Sequence, residues 1–143
     1  MNKDLHNNIH PLVGIAPVAA RTDDTAIVSA IVDRRGYGSC EFVIVTGTNT
    51  DADATFAVLV EDADELAFNV TNASVADAQL LGTEALAGFT FADDAETRKI
   101  GYVGGKRYVR LTVTPANNTG NIFLAAIALL GHPRNAPTPN PPV

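Results

Sequence analysis

The chain of 143 residues contains one cysteine, no tryptophan and few aromatic residues, which make up 6 % of it. The single cysteine, Cys40, excludes an internal disulfide and offers no zinc-ligand spacing. It lies beside Phe42 in an apolar run, where the expected role is that of a small buried hydrophobic side chain. The core must therefore be built from Val, Ile, Leu and the six Phe residues, without disulfide or zinc support.

Long hydrophobic runs are also missing. The longest, residues 122–130, has the length of a strand and is far below the roughly 20 residues that cross a bilayer. The first eight residues lack the apolar segment of a secretory signal. We therefore expect a soluble protein that is made in a cytoplasm and has no membrane partner.

Positive charge is absent from the middle of the chain. No Lys or Arg occurs between Gly36 and Thr97, where most of the acidic residues lie, and the net charge of the chain is −6. Five of the ten basic residues then follow between Arg98 and Arg110. This pattern suits a contact between the basic segment of one copy and the acidic surface of another copy or partner. Two solvated faces of one domain are the alternative interpretation.

The most regular pattern in the sequence lies between Lys99 and Pro115 and predicts a β-hairpin. Two strand-like runs flank Gly104 and Gly105, and a Gly-Gly pair allows the positive φ angles that tight hairpin turns need. The second run alternates apolar and polar residues, which places its apolar side chains on one buried face: Val109, Leu111 and Val113.

Further strands are predicted over residues 25–33, 41–46, 55–61, 89–91 and 121–130, with a short helix allowed between 73 and 87. The near-continuous apolar run at 41–46 favours a central strand. Many short strands without a long amphipathic helix indicate one all-β domain, an antiparallel β-sandwich or jelly-roll-like fold, over residues 21–131. Its core is expected to include Ile44, Phe56 and the apolar side of the hairpin.

Prolines cluster at both ends of the chain. Residues 1–20, with Pro11 and Pro17, are predicted to form an extended arm, and residues 132–143 a proline-rich tail, because proline disfavours helices and central strands. We expect the arm to contact neighbouring subunits through Leu12, Val13 and Ile15. Deleting residues 1–18 is therefore expected to leave the domain folded.

No catalytic or metal-binding motif is present. Asp51 with Asp53, or the acidic group at residues 62–65, could contribute oxygen ligands to calcium, but neither follows the order of a calcium loop. His6 and His10 have no HExxH context, and no nucleophile elbow occurs. We expect a protein that is not an enzyme and has no cofactor and no metal ion.

A basic and aromatic segment raises the question of nucleic-acid binding. Tyr102 and Tyr108 interleave with basic residues on predicted strands, an arrangement that can stack bases and pair phosphates. The acidic isoelectric point of about 4.8 argues against that function. We therefore expect no nucleic-acid partner and assign the segment to protein contacts, through Arg98, Lys99, Lys106, Arg107, Tyr108 and Arg110.

Several segments together resemble a group of small proteins of tailed bacteriophages and prophages that are encoded among head genes. They are residues 1–10, Tyr37 to Phe42, Ile100 to Leu111 and Leu129 to Pro133, in that order. The resemblance covers nearly the whole chain. It implies a virion component located on the capsid surface, a decoration or cement protein that binds the major capsid protein, commonly as an all-β homotrimer.

A β module that binds carbohydrate or the host surface on a phage head spike or tail is the alternative hypothesis. An exposed aromatic platform would favour it, and the absence of Trp counts against it. The resemblance brings no functional residues with it, so the contact residues above come from composition and pattern alone.

Overall fold

The computed structural model describes residues 3–70 and 73–142. Its first sheet, sheet A, has five antiparallel strands. In spatial order they are β1 (Ile9–Ile15), β10 (Ile122–Pro133), β4 (Tyr37–Asn49), β8 (Thr97–Tyr102) and β6 (Leu80–Leu81). The predicted central position of the strand at 41–46 is confirmed, because β4 is the middle strand of sheet A.

The second sheet, sheet B, is also antiparallel. Its order is β2 (Ile27–Val28), β9 (Tyr108–Ala116), β5 (Thr55–Ala63) and β7 (Phe89–Thr90), and β3 (Val32–Asp33) also pairs with β9. The helical elements are the short α1 (Glu84–Ala87) and two 3-10 turns. Within residues 3–70 and 73–142, no helix is long and apolar enough to cross a membrane. The prediction of an all-β antiparallel sandwich is confirmed.

The core lies between the two sheets and follows the alternation of the strands. Ile44 in β4 and the apolar face of β9, Val109, Leu111 and Val113, are fully buried, and Phe56 in β5 is 2 % exposed. Each such aliphatic side chain contributes roughly 1.5–3 kcal/mol on burial. Cys40 is 3 % exposed, and burial raises the pKa of its thiol to about 12. The predicted core residues are thus confirmed.

The predicted hairpin is wrong, although both of its strands exist. β8 pairs with β4 and β6 in sheet A, whereas β9 pairs with β5, β2 and β3 in sheet B. The Gly-Gly segment therefore forms a corner that carries the chain from one sheet to the other. A Cβ on Gly104 would overlap the hydroxyl of Tyr102, which folds back over this corner.

One polar network joins the two sheets at the corner. The Tyr102 hydroxyl donates to Asp62 Oδ2 of β5 at 2.7 Å and accepts from the Lys106 backbone N–H at 3.1 Å. Lys106 Nζ lies 2.9 Å from Asp62 Oδ1, and the Arg34 guanidinium covers the Tyr102 ring at 4.5 Å. Because Tyr102 belongs to sheet A and Asp62 to sheet B, their bond holds the corner closed.

The predicted N-terminal arm is wrong for residues 9–15. This segment is β1, the edge strand of sheet A, which pairs with β10 from Ile9↔Gly131 to Ile15↔Ala126. Ile15 is 5 % exposed and belongs to the core, and Leu12 packs against it. Pro11 is compatible with this place because only an edge strand tolerates a missing backbone donor.

The proline-rich tail also contacts its own chain. β10 continues to Pro133, and beyond it the Thr138 backbone N–H donates to the Asn7 carbonyl at 3.0 Å while the Thr138 hydroxyl donates to the Ile9 carbonyl. The tail thus covers part of the open edge of β1. Contacts of either terminus with neighbouring subunits stay a prediction, as do the domain boundaries.

Deleting residues 1–18 should destabilise the domain, contrary to the expectation from the sequence. The deletion removes the buried Ile15, worth roughly 1.5–3 kcal/mol, together with the contacts of the partly buried Leu12, and exposes an edge of β10. Urea unfolding should show a loss of several kcal/mol, whereas a deletion of residues 139–143, which spares Thr138, should have a small effect. An unchanged midpoint for the first deletion would contradict the role of β1.

Replacing Tyr102 by Phe should also lower the free energy of unfolding. The variant leaves the buried Asp62 carboxylate without its hydroxyl donor, which costs about 1–3 kcal/mol. Tyr108→Phe is the matched control, since the Tyr108 hydroxyl makes no hydrogen bond with the described residues. Equal urea midpoints for the two variants would argue against the sheet-joining role of Tyr102.

Candidate protein-interaction surface

The solvent side of sheet A, here called the outer face, is unusually apolar. In β4 and β10 the residues with even numbers from 40 to 46 and from 122 to 130 point into the core, so their neighbours point outward. The strand register places these outward residues in rows, for example Val13, Ile127, Val43 and Lys99. The apolar members of the outer face are Ile9, Pro11, Val13, Val43, Val45, Leu81, Phe123, Ala125, Ile127 and Leu129.

Much of this apolar surface is accessible to solvent. Val13 is 66 % exposed, Leu81 57 %, Phe123 49 % and Ile127 39 %. With strands about 4.8 Å apart and about 3.3 Å per residue, the outer face covers on the order of 500 Å². This area includes Glu41 and Lys99, and its apolar part falls in the range of the largest patch on soluble monomers, which is often functional.

Two charged side chains lie on the outer face. Glu41 stands in the row that contains Leu129, Gly101 and Leu81, and Lys99 stands beside Val43 in the next row. A Cβ on Gly101 would collide with Glu41 Oε2, so the glycine leaves room for the carboxylate to lie across β8. Burial raises the pKa of Glu41, and the positive charge of Lys99 opposes this effect.

The sequence-predicted contact residues of the N-terminal segment divide between the two sides of sheet A. Val13 lies on the outer face, whereas Ile15 points into the core and Leu12 packs against the core. The alternation along β1 explains the difference. Of the three residues expected to contact a neighbouring subunit, Val13 is largely exposed, Leu12 is partly buried and Ile15 is buried in its own chain, and such contacts stay a prediction.

Most cations of the basic segment have a carboxylate partner in their own chain. The pairs are Arg98 with Asp93 and Glu96, Lys106 with Asp62, Arg107 with Asp33, and Arg110 with Glu61. Tyr108 is 9 % exposed beneath the Arg107 guanidinium. Of the predicted basic contact residues, Lys99 is the one that lies on the outer face. The structure does not test whether the others touch a partner.

The paired arginines shift the titration of their partners. Two hydrogen bonds from Arg107 lower the pKa of Asp33 to about 2. Hydrogen bonds from Arg110 lower the pKa of Glu61, and the Arg110 guanidinium also covers the Phe68 ring at 4.3 Å. These contacts tie the basic segment to the acidic part of the same chain.

The acidic loops show no arrangement for a metal ion. Asp51 Oδ2 accepts from the backbone N–H groups of Thr119 and Gly120 and from the Thr119 hydroxyl, so it fixes the loop between β9 and β10. The part of the chain that the structure describes holds no group of at least three acidic, His or Cys side chains that could bind a metal.

The sequence patterns above do not identify Glu41, Val43, Leu81 and Ile127 as surface residues. A signal was present in the apolar run at 41–46, because a strand that is apolar at both even and odd positions has two apolar faces. Burial on both faces is one outcome of that pattern, and an exposed interaction face is the other.

Comparisons with known proteins show the fold. No protein-family model matches the chain, and no curated protein matches its sequence. A chain from the capsid of Ralstonia phage GP4 is similar with a TM-score of 0.52 and 11 % identity, over 92 % of this chain and 89 % of that one. The PBSX exported protein XepA is similar with a TM-score of 0.51 and 16 % identity, over 92 % of this chain but only 39 % of XepA.

A family 35 carbohydrate-binding module from Clostridium thermocellum is similar at a TM-score of 0.43 and 10 % identity, over 87 % of this chain and 91 % of that one. A score at this level carries no argument about function. The chain thus shares a β-sandwich fold with a chain of the Ralstonia phage GP4 capsid and with part of XepA.

Replacing Glu41 by Gln should stabilise the monomer at neutral pH. The raised pKa means that the folded state binds a proton at Glu41 more tightly than the unfolded state does. The stability that this preference contributes is complete below pH 4.5, the ordinary pKa, and is lost as the pH rises through the folded-state pKa. We expect a gain below about 1 kcal/mol at pH 7, because Glu41 is only half-buried, and no gain near pH 3.5.

Urea unfolding of dilute protein at both pH values measures this difference. Glu65→Gln, on an exposed loop, is the control and should change stability little at either pH. A loss of stability for Glu41→Gln at pH 7 would show that the carboxylate is stabilised within its own chain.

Proposed function

We propose that the chain is a structural protein of a tailed-bacteriophage virion that decorates and stabilises the capsid shell as an oligomer. The outer face is the observation that carries this proposal. Such a broad and apolar surface suits another protein surface, whereas small-molecule sites are concave. This surface therefore supports association as the function.

The fold supports a place in the virion. A similar sandwich occurs in the capsid of Ralstonia phage GP4 over almost the whole length of both chains. The sequence segments that resemble phage head proteins point to the same class of protein. The proposed partner is the major capsid protein, the proposed location is the capsid surface, and the proposed homotrimer stays a prediction.

Charge distribution argues against a nucleic-acid function. Arg98, Lys106, Arg107 and Arg110 are engaged by carboxylates, and the net charge is −6. Phosphate binding would require breaking several of these pairs. We propose neither a nucleic-acid nor a membrane partner, and no catalytic activity.

The carbohydrate-binding alternative gains no support from the surface. The large exposed aromatic side chains of the described chain are Phe91 and Phe123. Phe123 lies on sheet A, whereas Phe91 follows β7 of sheet B. Phe91 lies in the turn after β7 and not in a strand, and neither ring stacks on another aromatic side chain of the described residues.

Purified protein should bind capsid shells of its own phage prepared without it, and should raise the temperature at which those shells disrupt. Co-sedimentation at increasing protein concentration should show a saturable ratio to the major capsid protein. Val28→Lys, an exposed change on sheet B, is the control that should retain binding. Absence of shell binding together with retention on a polysaccharide matrix would support the alternative and overturn the proposal.

A further inference from the structure

Glu41 and Lys99 form a pair of opposite charges on an otherwise apolar surface. Glu41 pairs in register with Gly101, and Val43 pairs with Lys99, so the two side chains are diagonal neighbours on adjacent strands. Diagonal neighbours of this kind are about 7–8 Å apart. None of the ion pairs formed by the described residues includes Glu41 or Lys99.

Because its surroundings are apolar, this pair of charges loses its hydration when a partner covers the outer face. Leu129, Leu81 and Val43 lie beside the two charges, so a partner that buries these residues also removes water from Glu41 and Lys99. A buried charge is tolerated when an opposite charge meets it. Lys99 already acts on the charge of Glu41 within one chain. A partner that brings one cation and one anion, in reversed positions on an apolar surface, also gives each charge a direct contact.

A second copy of the chain meets this requirement. A two-fold axis brings the same patch of both copies together, so that residue i of one copy meets residue j of the other, and j meets i. We infer that two copies pack outer face to outer face, with Glu41 of each copy paired with Lys99 of the other. This inference rests on the proposed oligomeric function and specifies the surface that forms the pair. It departs from the expected homotrimer, because a two-fold interface joins copies in pairs.

The other side of the sandwich shows why sheet A is the pairing surface. On sheet B the corresponding positions carry a closed polar network, in which Arg110 Nε lies 2.9 Å from Glu61 Oε2 and the Thr112 hydroxyl donates to the same oxygen at 2.8 Å. That network is complete within one chain. The charges on the outer face of sheet A are not paired in this way.

The size of the outer face sets the expected strength of the pair. About 500 Å² per copy is below the roughly 800 Å² per partner of standard stable interfaces. We therefore expect a concentration-dependent pair in solution. Attachment of both copies to one shell would strengthen it through effective concentration.

Charge exchange tests the inference sharply. Sedimentation equilibrium should show pairing of the wild type at high concentration, and Glu41→Lys and Lys99→Glu should each weaken it by at least about tenfold, because like charges then meet. An equimolar mixture of the two single variants should pair again, since both contacts then join opposite charges. The double variant should also pair with itself.

Two controls keep the result interpretable. Val28→Lys on sheet B should not affect pairing, and urea unfolding of each variant checks that the fold is retained. A wild type that stays monomeric up to about 1 mM, a mixture that fails to pair, or a trimer unaffected by Glu41→Lys would overturn the inference.

Shell binding separates this inference from the proposed function. If pairing responds to charge exchange but the protein never binds shells, the proposed function is refuted and the inference stands. Conversely, shells that bind the wild type with no self-pairing would refute the inference alone. If Glu41→Lys abolishes shell binding while pairing persists, the outer face belongs to the shell, and the inference is wrong.

Discussion

The hydrogen bond between Tyr102 and Asp62 is the contact on which the corner between the two sheets depends. It joins β8 of sheet A to β5 of sheet B at 2.7 Å, and Lys106 completes the charge balance at Asp62. Burial and the Asp62 hydrogen bond raise the pKa of Tyr102 to about 12, so the hydroxyl remains a donor at physiological pH. The Tyr102 hydroxyl lies against Gly104 at this corner, where a Cβ would collide with it.

The two solvent-facing sides of the sandwich differ in whether their charged groups have partners within the same chain. Sheet B presents the Glu61, Arg110 and Thr112 network, which is complete within one chain. Sheet A presents an apolar surface with Glu41 and Lys99 outside the ion pairs of the described chain. The driving force for association, removal of apolar surface from water, is therefore concentrated on one side. Charges then select the partner and its orientation.

The termini help to present this surface. β1 extends sheet A at its edge and adds Val13 to the outer face while Ile15 closes the core below. Pro11 and the contact of Thr138 with Ile9 limit the open backbone edge of β1, which would otherwise pair with other strands. The segment expected to be an adhesive arm is thus part of the sheet that carries the proposed interface.

Local pattern in the sequence specifies the class of fold and most of the core. The alternation of Val109, Leu111 and Val113 predicts a strand and its buried side, because side-chain direction in a strand has a period of two. The local pattern does not predict which strands pair, since pairing joins residues that are distant in the chain. Only the tertiary structure placed β8 and β9 in different sheets, gave Arg107 and Arg110 their carboxylates, and brought Glu41 beside Lys99. These choices depend on which surfaces pack best across the whole domain, and a local period does not contain that information.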